Sequence, residues 1–235
     1  MFKIVLDAGH GLYTAGKRCL KVIDPNETRE WSLNSRIAEM VEARLKLYDG
    51  VEILRVDDRT GATDVPLSAR TSKANEFEAD FYLSIHHNAG IYGGSGGGIV
   101  AYTHTNAGNA TKEWQKDLYN CLIKYTGLKG NRAEPLSTAN FQVLRQTKMP
   151  AVLLELGFMD SITDTPIILT EDFANQCATA IEDIVVVKGE LTRKTVDNRE
   201  SLKKEIEDLK AQNDELRSYA QSLEVKIANA VNALQ

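Results

Sequence analysis

Cysteine is scarce in this chain, with three residues, Cys19, Cys121 and Cys177, among 235. An odd and widely spaced trio excludes a disulfide framework that uses every thiol, and without a CxxC pair no thiolate metal site is expected. The three read as reduced, partly buried small hydrophobes. Long apolar runs are missing too, and none approaches the roughly 20 residues that span a bilayer. The N-terminal stretch Met1-Phe2-Lys3-Ile4-Val5-Leu6-Asp7 is too short for a signal peptide and carries no small-residue cleavage site. It reads as a strand, and the expectation is synthesis in a cytoplasm without a Sec export address. Nor is there an excess of positive charge: 28 Lys and Arg face 33 Asp and Glu, a net charge of −5. A broad electrostatic grip on nucleic acid is therefore not expected. With 43% hydrophobic and 26% charged residues the chain has enough apolar material for a core, in one or two modest domains.

Two textures divide it. Over residues 1–190, short runs rich in β-branched or aromatic residues are bounded by Gly, Pro, Asn or Asp. Phe2–Leu6, Val51–Val56, Phe81–Ile85, Gly98–Tyr102, Phe141–Leu144 and Ala151–Leu156 are read as strands. Helical spacing lies between them: Leu33, Ile37, Met40, Val41, Leu45 and Tyr48, stopped by Asp49-Gly50; then Trp114, Leu118, Cys121, Leu122 and Tyr125; then Phe173, Cys177, Ile181, Ile184 and Val185. Strands fed by helices predict an α/β domain, a mixed, largely parallel twisted sheet flanked by helices. Ligands in such sheets gather beyond the carboxyl ends of the strands.

Residues 191–235 differ. No proline or glycine occurs from Thr195 to Gln235, and apolar residues recur in steps of three and four: Leu202, Ile206, Leu209, Leu216, Ala220, Leu223, Ile227, Ala230 and Leu234. This seam predicts a C-terminal α-helical coiled coil. With Ile206 at position a, Asn213 also falls at a, a device that favours two parallel strands, and Glu205 at g faces Lys210 at e of the partner. The expected assembly is a homodimer. A lone amphipathic helix packed on the first domain, or a stiff linker, are the alternatives.

Four polar sites stand at predicted element ends. Asp7-Ala8-Gly9-His10-Gly11 delivers a histidine into a glycine-flanked turn, where the missing side chains leave room beside it. Glu30 opens a helix, a position the helix dipole also favours, with Glu27 as a competitor. Ser84-Ile85-His86-His87-Asn88-Ala89 ends an apolar strand, and adjacent histidines there point to opposite faces, so one of the two serves a given site. Glu155 lies inside Ala151-Val152-Leu153-Leu154-Glu155-Leu156-Gly157-Phe158, where a carboxylate is costly unless paired, metal-linked or protonated. Two histidines and two carboxylates meet the needs of a catalytic zinc site, three N/O ligands with a further carboxylate to shuttle protons. The spacing matches no local HExxH pattern, so the fold must bring them together. The glycine-dense stretch Gly93–Gly98 reads as a flexible surface loop, with a substrate-clamping role as the alternative.

These motifs, in this order, resemble the zinc-dependent N-acetylmuramoyl-L-alanine amidases of the amidase-3 type, found in bacterial autolysins and phage endolysins. Asp7–Gly11 resembles the family's opening DPGHG, with Ala8 in place of proline. Glu30-Trp31-Ser32-Leu33-Asn34 resembles its ExxxN segment. Arg59, Leu67, Arg70 and Ala74-Asn75 resemble its R…L..R…AN stretch. Ser84–Ala89 resembles SIHANA, with His87 in place of alanine, and Val143-Leu144-Arg145 with Pro150–Phe158 resembles VLR…PAVLVExGF. The resemblance covers roughly residues 2–187. It implies that His10, Glu30 and His86 bind one Zn²⁺ per chain, in preference to Glu27 and His87, and that Glu155 is the catalytic glutamate. It further implies hydrolysis of the amide between N-acetylmuramic acid and L-alanine in peptidoglycan, and the missing export signal suits an endolysin released onto the cell wall. A zinc peptidase or deacetylase acting on another amide would use the same four residues. A non-catalytic wall-binding or scaffold protein working through its coiled coil is the alternative outside enzymes.

Overall fold

The computed structural model describes residues 1–195, 206–217 and 219. Its elements run in the order β1 (Phe2–Ala8), α1 (Glu30–Leu45), β2 (Tyr48–Asp49), β3 (Val51–Arg55), α2 (Leu67–Glu76), β4 (Phe81–Asn88) and β5 (Ile99–Thr103). They continue with α3 (Asn109–Thr126), β6 (Leu136–Thr138), α4 (Gln142–Arg145), β7 (Ala151–Phe158), α5 (Thr165–Ile168), α6 (Glu171–Lys188) and β8 (Thr192–Arg193). Six strands form one sheet in the order β3-β1-β4-β7-β5-β6, parallel throughout except where β5 runs antiparallel to β7. The mixed, largely parallel sheet expected from the alternating pattern is what forms.

Alternation along the strands sorts side chains between two cores. Ile4, Leu6, Phe81, Leu83, Ile85, Val152 and Leu154 face α1, α3 and α6, whose Leu33, Ile37, Leu118, Leu122, Cys177 and Ile181 are fully or almost fully buried against them. Val5, Tyr82, Ala151 and Leu153 form the smaller core on the other face, with Ala74 of α2 and Val143 and Leu144 of α4. At about 1.5–3 kcal/mol for each large apolar side chain buried, these layers hold the strand ends in place. The helix ends follow local rules: Thr170 caps α6 by accepting from the Phe173 N–H, and Gly127 closes α3 in the left-handed region at φ 66°.

Several elements depart from the expectation. Phe141–Leu144 is not a strand. Gln142–Arg145 forms a helical turn, closed by Arg145 Nη1 donating to the carbonyl and side-chain oxygens of Asn140 at 3.0 and 2.7 Å. A four-residue apolar run does not distinguish a short strand from a buried helical turn. The expected helix ending near Tyr48 stops at Leu45, because Tyr48–Asp49 pairs with Thr192–Arg193. Helix α2 is an additional element without an amphipathic signal, since it buries Arg70, Thr71 and Ala74 in place of an apolar stripe. Strand β6 is a three-residue edge, too short to carry a pattern.

Contacts divide the chain into the units Met1–Arg193 and Lys194–Gln235. In the second, residues 206–217 are helical, with Ile206, Leu209 and Leu216 exposed. The remaining seam positions of the expected coiled coil, Leu202, Ala220, Leu223, Ile227, Ala230 and Leu234, lie outside the described residues, as does Glu205. Among the described residues no helix is long and apolar enough to cross a membrane.

Candidate metal centre

The strand parities place the four residues singled out above. His86 pairs in register with Glu155 on β7, so both stand on the same sheet face at the carboxyl end. His87, one residue on, faces α1, where it is 2% exposed and bonded through Nδ1 to Asn34 Oδ1 at 2.8 Å. Burial pushes His87 down to about 3, so it is a neutral structural histidine. The structure therefore brings His86, and not His87, into the cluster.

Glu30 opens α1 and reaches the same point while only 1% exposed. Its Oε1 lies 3.3 Å from His10 Nε2 and 3.0 Å from His86 Nδ1. Burial works to raise its carboxyl, but hydrogen bonds from His10 and His86 outweigh that and hold it well below the usual carboxylate range. His86 shows the converse: burial pulls it down, yet Glu30 leaves it above the ordinary histidine value. Glu27, the competitor, is outside the cluster and pairs with Arg18 at 3.2 Å.

One ligand atom from each of His10, Glu30 and His86 lies within 4.8 Å of the others. A tetrahedral ion with bonds of about 2.0–2.1 Å needs its ligands about 3.3 Å apart, which the two contacts to Glu30 already approach. Glu30 Oε2 is buried with no hydrogen-bond partner, a site for positive charge. The donor set fits a divalent cation that takes nitrogen and oxygen.

The turn carrying His10 is held from below. His10 sits at φ 67°, a left-handed conformation unfavourable for a residue with a side chain. Arg70, 1% exposed, uses all five of its N–H donors to secure the neighbourhood. Nη1 donates to Asp7 and to the Ala8 carbonyl at 2.8 Å, Nη2 to the His10 carbonyl at 3.0 Å and Asp64 at 3.1 Å, and Nε to the Val65 carbonyl at 2.8 Å. Tyr82 and Ser84 hydroxyls complete Asp7. Gly9 leaves the space His86 occupies, since a Cβ there would lie 2.0 Å from the imidazole Cε1. Asn34 ties the Gly9 carbonyl at 3.1 Å to His87. No local sequence pattern marks these supporting roles, apart from the glycines that flank His10.

Glu155 is different. Its Oε2 is buried without a hydrogen-bond partner, at a cavity of about 260 Å³ that His10, Lys17, His86 and Phe141 also line. Burial, reinforced by Glu30, pushes its carboxyl up to about 7 against the pull of His86 and Lys17. The arrangement offers a triad of metal-ligand type and, alongside it, an unbonded carboxyl with a value near neutrality.

The glycine-dense loop is tethered, contrary to the flexible loop expected. Asp160 Oδ2 accepts from the N–H groups of Gly90, Ile91 and Tyr92 at 2.8–2.9 Å, and Asp164 Oδ2 from Gly98 at 2.7 Å. Composition reports the backbone's freedom, not the carboxylates that remove it.

Comparisons with known proteins point to one family. Residues 4–186 match the family model described as N-acetylmuramoyl-L-alanine amidase. A sporulation-specific N-acetylmuramoyl-L-alanine amidase of Bacillus subtilis is 34% identical over 76% of the chain and 64% of its own length. An endolysin of Bacillus phage SPP1 is 32% identical over 76% of the chain and 63% of its length. The chain thus spans just under two thirds of these curated relatives. Among solved structures, the catalytic domain of an N-acetylmuramoyl-L-alanine amidase from Bacillus (Paenibacillus) polymyxa var. colistinus superposes with a TM-score of 0.68 at 28% identity, covering 82% of this chain and 100% of that one. One from Clostridium difficile 630 gives 0.70 at 26%, covering 80% and 97%. With a family match across most of its length and a relative above 30% identity, the chain belongs to the N-acetylmuramoyl-L-alanine amidase family.

Proposed function

We propose that this protein hydrolyses the amide between the lactyl group of N-acetylmuramic acid and L-alanine in peptidoglycan, with one zinc ion held by His10, Glu30 and His86. The observation that carries this reading is the register pair His86–Glu155, which sets an unbonded carboxyl beside a triad of ligand type. Zinc, when bound, supplies Lewis-acid polarisation of the amide carbonyl and makes water more acidic. Glu155 takes the proton from the attacking water and returns it to the leaving alanine nitrogen as the C–N bond breaks, so the carboxylate is regenerated. Arg70 and Gly9 keep His10 and His86 where the triad needs them.

Digestion of purified peptidoglycan tests this. Alanine amino groups should appear without acetate or new reducing ends, stop with chelator and return with zinc. Release of acetate, or of amines from another peptide bond, would mean the deacetylase or peptidase reading. No cleavage by a zinc-loaded enzyme would leave the scaffold reading. The phage relative supports an endolysin acting on the wall after release, and the B. subtilis amidase supports an autolysin.

Residues 1–190 are assigned as the catalytic domain and 191–235 as a coiled-coil tail that pairs two chains. Supporting this are the helix over 206–217, the exposure of Ile206, Leu209 and Leu216, and Asn213 at the expected register. Sedimentation at micromolar concentration should give about twice the monomer mass, reverting to monomer in the double variant Leu209→Asp, Leu216→Asp. A monomeric wild type removes the dimer.

A further inference from the structure

Of the residues that line the Glu155 cavity, Lys17 is the one permanent cation. Its backbone is fixed at the entrance to α1, where its carbonyl accepts from the Glu30 N–H at 3.1 Å. Its side chain is not similarly engaged: 42% exposed, it holds its ammonium 3.7 Å from Glu30 Oε2, too far for a hydrogen bond. It donates no side-chain hydrogen bond among the described residues. With Glu30 assigned as a metal ligand, the Lys17 ammonium has three donors without a hydrogen-bond acceptor among the described residues, and Glu155 is the acid that lines the same cavity.

Two cavities meet over His10 and His86. One, of about 380 Å³, runs towards Asp64, Pro66 and Arg70, and the other is the Lys17 and Glu155 cavity. The group that returns a proton to the leaving nitrogen lines only the second. The mechanism proposed above then puts the leaving peptide half there and the lactyl and sugar half over the first. In the second cavity Leu67 and Phe141 are 46% and 41% exposed, apolar surface for the alanine methyl. The next peptide residue is one extended step of about 3.3–3.6 Å further on. In peptidoglycan that residue is a D-glutamate joined through its γ-carboxyl, so its α-carboxyl is either a free carboxylate or an amide.

Resting on the amidase reading above, we propose that Lys17 is a specificity residue that binds the free α-carboxylate of the second stem-peptide residue, so the enzyme prefers walls in which that group is not amidated. Arg18 and Lys21 do not compete for this role, since both pair with Glu27. A charge-assisted contact at a half-exposed position gives an effect of about 5- to 10-fold.

The test uses two synthetic muramoyl-peptides that differ only in carboxylate against carboxamide at the second stem residue, with zinc-loaded full-length enzyme. Wild type should show a KM about 5- to 10-fold lower for the carboxylate substrate, with similar kcat. Lys17→Met should lose that preference at unchanged zinc content, and Lys17→Arg should retain most of it. A preference that survives in Lys17→Met overturns the proposal. So does an equal fall in kcat on both substrates, which would make Lys17 a stabiliser of charge at the scissile carbonyl. If wild type cleaves neither substrate, the amidase reading fails on its own. Calorimetric binding of L-alanyl-γ-D-glutamate and its α-carboxamide then decides for Lys17: tighter binding of the acid, lost in Lys17→Met, supports its role, and equal binding refutes it.

Discussion

The two sides of the site are built on opposite plans. On the β1 and α1 side the groups that position the triad are bonded: Arg70 spends five donors, Asp7 accepts from three side chains, Asn34 joins the Gly9 carbonyl to His87, and Glu30 Oε1 meets both histidines. On the β7 side Glu155 keeps a buried oxygen with no partner at all. The same burial therefore has opposite outcomes. Glu30, surrounded by donors, stays a carboxylate, whereas Glu155 rises to about 7 and keeps its proton-exchanging capacity. The proposed ligands need fixed position and charge. The proposed proton shuttle needs a poised carboxyl, and bonding it would remove that quality.

The largest break in this contrast comes from Glu155→Gln. It should fold and load zinc as wild type does, yet lose about 10²–10⁴-fold in kcat on peptidoglycan, because it removes the shuttle and leaves the triad intact. Zinc content and rate, measured together, check this, and near-normal lysis would defeat the mechanism. On the other side, Arg70→Met leaves Asp7 buried without its cation. Breaking such a pair costs about 3–5 kcal/mol, readable as a lower urea midpoint. Gly9→Ala acts more locally. A methyl group cannot share the His86 ring position, so zinc affinity should fall about 10- to 100-fold, in the range seen when groups orienting a ligand are lost, with a smaller change in melting temperature.

How much of this contrast was legible in the sequence depends on sequence distance. Gly9-His10-Gly11 and the apolar run around Glu155 carry local signals, one of space and the other of desolvation, and both pointed to the place where the fold brings these residues together. Arg70 with Asp7 and Asn34 with His87 are pairings 63 and 53 residues apart. No local pattern marks such a pair, and Arg70 stood out only as part of a motif. Helix α2 carries no apolar stripe to mark it, since its inner face is Arg70, Thr71 and Ala74. The tethered Gly93–Gly98 loop shows the limit of composition, since Asp160 and Asp164 lie over sixty residues away.

The smallest effect concerns pH. His87 titrates near 3 in the fold and near 6.5 when unfolded, so between those values the unfolded chain holds the extra proton. Stability contributed by neutral His87 is complete above pH 6.5 and is lost progressively as the pH falls towards 3, about 2 kcal/mol by pH 5. Urea midpoints at pH 7 and pH 5 should converge in His87→Gln relative to wild type. An unchanged difference would mean that another group carries the acid sensitivity.

The five bonds of Arg70 also set an order of events. The contact that fixes the His10 carbonyl joins residues 60 apart, and Asp7 waits on the same guanidinium. Without α2 docked beneath β1 these contacts to His10 and Asp7 are missing, so a partly folded chain is expected to lack an assembled triad. Metal uptake is therefore expected to follow folding. Zinc supplied at the start of refolding or after its end should leave the refolding rate the same, and an acceleration by early zinc would show the ion assembling its own site.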